Sequence, residues 1–90
     1  SSAETMAITQ FYFERMYEGR VQVEYHDLAR PEEAEAYKDL LEEVHRYHLP
    51  FPLVAVDGEI LLAGGAEFYQ IKPLVDEALE ARGQQATPSA

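Results

Sequence analysis

The strongest local constraint in this chain is the Asp57-Gly58 pair, set between two runs of strand-forming residues, Leu53-Val54-Ala55-Val56 and Glu59-Ile60-Leu61-Leu62. A two-residue turn of this kind needs positive φ at both central positions, which this pair tolerates, so the runs are expected to pair as an antiparallel hairpin. Nearly all of their residues are apolar, which predicts a hairpin covered on both faces. Leu49-Pro50-Phe51-Pro52 stands immediately before it. A proline disfavours helical geometry in the residue preceding it, so any helix arriving from upstream must end there.

Helical patterns flank the hairpin. Residues Ser2 to about Glu18 read as a helix, with Ser1 and Ser2 offering caps near Glu4 and with apolar residues at Met6, Ile8, Phe11, Tyr12, Phe13, Met16 and Tyr17. Those positions cover more than one stripe, which predicts a helix contacted on two sides. Gly19 suits the left-handed residue that often follows a helix. Val21-Gln22-Val23-Glu24-Tyr25-His26 then alternates apolar and polar, the period of a strand with one buried face. Pro31 is well placed at a first helical position, followed by Glu32 and Glu33 at the positive end of the dipole. This second helix sets Tyr37, Leu40, Leu41, Val44 and His48 on one side and Lys38, Asp39, Glu42, Glu43 and Arg46 on the other.

After the hairpin, Ala63-Gly64-Gly65-Ala66 reads as a small-residue joint. A last helix follows, facing inward with Ile71, Leu74, Val75, Ala78 and Leu79; Pro73 is expected in its first turn and Gly83 at its end. The expected class is α/β, a three-layer α/β/α arrangement in the order α-β-α-β-β-α. Residues 1–83 form a single domain in this reading, and 84–90 a polar, disordered tail.

Composition narrows the function classes. The net charge of −10, from 7 basic and 17 acidic residues, repels phosphate backbones and anionic lipid, so neither nucleic acid nor membrane is an expected partner. No stretch approaches the roughly 20 apolar residues of a membrane helix, and the first residues lack the pattern of a secretory signal. The chain has no cysteine, which excludes a cysteine nucleophile or a cysteine–zinc site within it and accords with a cytoplasmic setting.

The order of helix, strand, helix, proline-initiated hairpin, Gly-Gly joint and final helix resembles the thioredoxin fold without its first strand. More narrowly, Ser1-Ser2-Ala3-Glu4-Thr5, Phe51-Pro52-Leu53-Val54 and the acid-rich last helix resemble a small bacterial thioredoxin-like family, the YuzD-like proteins, which are regarded as candidate disulfide oxidoreductases. The resemblance spans roughly residues 1 to 82. It implies that Pro52 is the proline before the third strand, joined to Phe51 by a cis bond and lying beside a redox site, so that Phe51 and Pro52 shape a substrate groove for protein thiols or an extended peptide. The family's first strand and cysteine pair would precede Ser1; no cysteine carries over, so this chain is not expected to exchange thiols by itself. The alternative is a non-catalytic thioredoxin-fold interaction module, as a homodimer using an open sheet edge or the aromatics Tyr12, Phe13, Tyr17, Phe68 and Tyr69.

Other groups point to chemistry more faintly. His45 and His48, three residues apart on one helix, could meet one metal ion with His26, but no motif of defined ligand spacing supports this, and no metal or other cofactor is expected. The carboxylates Glu32, Glu33, Glu35, Asp39, Glu42 and Glu43 read as a solvated helix face. Gly64-Gly65 lacks the pattern and lysine of a phosphate loop, and reads as a close-packed turn.

Overall fold

Why the chain forms a hairpin where it does is visible in two backbone angles: Asp57 has φ 53° and Gly58 φ 84° in the computed structural model, which describes residues 2–86. Both central turn residues are left-handed, and β1 (Leu53–Val56) folds back antiparallel on β2 (Glu59–Ala63). Leu53 pairs with Ala63 and Val54 with Leu62; an irregularity then shifts the register, so that Ala55 pairs with Ile60 and Val56 with Glu59. Leu61 falls in that irregularity and is 42% exposed. Among the described residues this hairpin is the whole sheet.

Among the described residues four helices accompany it: α1 (Ser2–Met16), α2 (Pro31–Ala36), α3 (Lys38–Tyr47) and α4 (Phe68–Ala86). The fold is mixed α/β, with a two-stranded sheet rather than the expected three strands. The chain divides after Lys38 into two compact units.

In the first unit, Thr9 and Phe13 of α1 and Tyr17 just past its end are buried, spaced at i, i+4 and i+8. The rings of Phe13 and Tyr17 stack at 5.9 Å between centroids. Ile8, Phe11, Tyr12 and Met16 stay exposed, so the expectation of contact on two sides is corrected: one face is covered and the other is open. The helix ends in a Schellman motif, in which the Gly19 N–H donates to the Glu14 carbonyl and the Glu18 N–H to that of Arg15. Glu18 takes the left-handed position at φ 52°, one residue before the glycine expected there, and Gly19 follows at φ 81°.

The Val21–His26 strand does not form. Its alternation survives as half-buried Val21 and Val23 against exposed Gln22 and Glu24, then breaks at exposed Tyr25. A strand is defined by its ladder, and this segment has no partner strand among the described residues.

The helix expected after Pro31 is two helices. Tyr37 still donates its N–H to the Glu33 carbonyl, but at φ −114° and ψ 31° it leaves helical geometry and separates α2 from α3. α3 closes on a second Schellman motif: the Leu49 N–H reaches the Val44 carbonyl and the His48 N–H that of His45, with His48 left-handed at φ 53°. His48 is thus an exposed cap residue, where the sequence pattern set it on the apolar face.

The second unit centres on Val44, Ile71 and Val75, all buried, with α4 packed on β1. Leu74, Ala78 and Leu79 are half-buried on the expected inward face of α4. No residue of the hairpin is fully buried, which corrects the expectation of two covered faces; a lone two-stranded sheet cannot be shielded as a parallel sheet between helices is. Pro73 lies inside α4, beyond its first turn. The helix also runs through Gly83 to Ala86, because one exposed glycine weakens a helix by only about 1 kcal/mol and does not terminate it. Residues 84–86 are therefore helical rather than part of a disordered tail; Ser1 and residues 87–90, where a cap and the rest of that tail were expected, lie outside the described residues.

Candidate functional site

The Phe51–Pro52 peptide bond is cis, and its surroundings follow from two glycines. The Gly64 N–H, just past β2, donates to the Pro52 carbonyl at 2.8 Å, which ties the entrance of the hairpin to its exit. Gly64 has φ +87°, and a Cβ there would lie 3.2 Å from Cγ of Pro50. It is glycine for both reasons, conformation and space. Gly65 makes room for a neighbour: a Cβ on it would come within 2.6 Å of Oε1 of Gln70. That same oxygen accepts the Glu67 N–H at 3.0 Å, one half of a capping box at the start of α4. The close-packed turn expected at Gly64-Gly65 thus joins the proline loop to the last helix. Phe51, 56% exposed, and the exposed Pro52 stand on this backbone frame as a ring and a pyrrolidine open to solvent.

A second constellation lies in the first unit. His26 Nδ1 is 2.8 Å from a carboxylate oxygen of Glu33, and its Nε2 is 3.0 Å from both a carboxylate oxygen of Glu24 and the Tyr37 hydroxyl. Its ring also lies 4.7 Å from that of Tyr37. The hydrogen bond to Glu33 raises the His26 pKa above its ordinary value; burial opposes this, and the bond to Glu24 adds to the rise. In the imidazolium form both nitrogens donate to carboxylates. In the neutral form Nδ1–H still donates to Glu33, and Nε2 is free to accept the Tyr37 O–H.

Glu33 and Tyr37 stand four residues apart, as neighbours on one helical face would. In the sequence Glu33 belongs to the helix dipole, Tyr37 to the apolar stripe and His26 to a remote metal-ligand candidate, and the structure brings the three together. No group of three His, Cys, Asp or Glu side chains among the described residues is placed to hold a metal ion. A further cleft of about 270 Å³ is lined by Asp39, Leu40 and Glu43 of α3 and by Gly58 and Glu59 at the hairpin tip. No helix among the described residues is long and apolar enough to cross a membrane.

The class these features define is a small mixed α/β domain whose exposed proline loop is stitched to a Gly-Gly joint. A family model described as "Protein of unknown function (DUF1462)" matches residues 1–76, and the chain belongs to that family. No curated protein and no solved structure matches it.

Proposed function

We propose that this chain is a thioredoxin-like domain serving thiol–disulfide exchange in the cytoplasm, in which Phe51 and Pro52 receive an extended polypeptide and the reacting dithiol lies outside these ninety residues. The observation that supports it is the built geometry of the loop: an exposed Phe51 ring beside a Pro52 carbonyl held at 2.8 Å by Gly64. An aromatic side chain on a backbone fixed in place provides apolar area and a register for a peptide at little entropic cost. Within this chain there is no thiol to react, so its own contribution is recognition.

Titration of the chain with short unstructured peptides tests the recognition step. Amide signals of residues 50–54 and 63–65 are expected to move, and Phe51→Ala to weaken the binding about tenfold. Absence of any shift at these positions removes the recognition role. The redox part is tested separately by reading the genomic sequence ahead of the Ser1 codon: without an apolar strand followed by cysteine there, that part fails.

A further inference from the structure

The open face of α1 has a pattern that the fold of the described residues does not use. Ile8, Tyr12 and Met16 follow one another at i, i+4 and i+8, with Phe11 beside them, and their exposures are 59%, 55%, 43% and 59%. Exposed apolar residues are ordinary when scattered; four on adjacent positions of one helix face form a patch. Arg15 lies 5.9 Å from the centre of the Phe11 ring, so its guanidinium flanks the patch and its stem widens it.

We infer that this face is the contact between two copies of the chain, related by a two-fold axis through Tyr12 with the two α1 helices antiparallel. The stripe is self-complementary about that residue. Antiparallel pairing sets Ile8 of one copy against Met16 of the other and the two Tyr12 rings against each other, the isologous arrangement that a two-fold demands. The i, i+4, i+8 stripe is an i±4 ridge, and two such ridges run alongside each other when the helix axes cross at about −50°, the commonest packing class.

Charge favours the same arrangement. In the antiparallel pair the two helix dipoles oppose. The first twenty residues carry two basic side chains (Arg15, Arg20) and three acidic ones (Glu4, Glu14, Glu18), a net −1, which leaves −9 of the chain's −10 on the other seventy. Two copies of so acidic a chain repel least where these residues meet. Such a dimer requires nothing of the Phe51–Pro52 loop.

The absence of cysteine makes the geometry directly readable by cross-linking. Under mild oxidation Tyr12→Cys is expected to form a disulfide with itself. Ile8→Cys alone is expected to give little, but to cross-link when mixed with Met16→Cys. Sedimentation velocity supplies the independent measurement: the unaltered chain sediments as a dimer. Tyr12→Glu, which sets two carboxylates together on the axis, shifts it to monomer with its circular dichroism unchanged. A monomer at millimolar concentration overturns the inference, as does a dimer indifferent to Tyr12→Glu or one that cross-links Ile8→Cys to itself as readily as Tyr12→Cys.

Discussion

Two segments of this chain carry the residue pattern of a strand, and only one becomes a strand. Leu53–Ala63 is folded on itself by a turn whose two residues both take positive φ, so each half finds its ladder partner within a few residues. Val21–His26 has the cleaner alternation, yet it joins no ladder among the described residues. Alternation states which face of a strand would be buried; it does not supply the second strand. The first segment is held by backbone hydrogen bonds and glycine geometry; the second is tied at its end by His26, which bonds Glu33. That difference is open to experiment.

Amide hydrogen exchange gives the largest expected contrast. The Gly64 N–H and the ladder amides of the hairpin should exchange at least about tenfold more slowly than the amides of Val21–Tyr25, since exchange follows the local cost of opening. Equal protection in the two segments would mean that Val21–His26 has found a strand partner in solution, and would erase the distinction.

Next in size is Gly64→Ala. An L-residue at φ +87° costs about 1–2 kcal/mol, and the added methyl must also displace Pro50. Chemical denaturation should show this loss, with the exchange of the amides of residues 51–65 accelerated and that of Val21–Tyr25 unchanged. A loss below about 0.3 kcal/mol would show that the hairpin does not depend on this joint.

How much of this was legible in the sequence divides along the same line. The hairpin, its turn, the helix-breaking prolines and the inward face of α4 could be read because each is decided by neighbours in the chain. The Gly-Gly joint was read as a close-packed turn, but Gln70, the residue it makes room for, was not, since a glutamine in a helix's first turn has no distinctive signature. The break at Tyr37 is not legible because the apolar period runs through it unbroken, and the His26 ring that its hydroxyl meets stands eleven positions away. The extent of α4 past Gly83 is not legible because a glycine reads as a stop signal, yet costs a helix only about 1 kcal/mol. Phe51 and Pro52 stand out in the sequence only by the resemblance and by their place before the hairpin, and a groove at them is a proposal. The His26 constellation was not, because its members belong to three different local patterns.

The smallest expected effect concerns the side-chain anchor itself. His26 is bonded to Glu33 and Glu24, and its pKa is raised above the ordinary value of about 6.5. Unfolding releases the proton more readily from a group whose folded pKa is higher. The stabilisation is therefore fully present below about 6.5 and is lost as pH rises through the folded-state value. Glu33→Gln removes the first of the causes, so the His26 ring-proton titration should move back toward the ordinary value and the corresponding part of the pH dependence of stability should flatten. Because the His26 side chain is 31% exposed, solvent screens the pair and the change in stability stays within about 1 kcal/mol. The pH midpoint of the ring signals is the decisive reading. If it does not move in Glu33→Gln, Glu33 is not what holds the proton on His26, and the segment ahead of α2 is positioned by something other than this side chain. If it moves while hairpin exchange stays constant, backbone geometry holds the hairpin and the His26 pair holds the other segment.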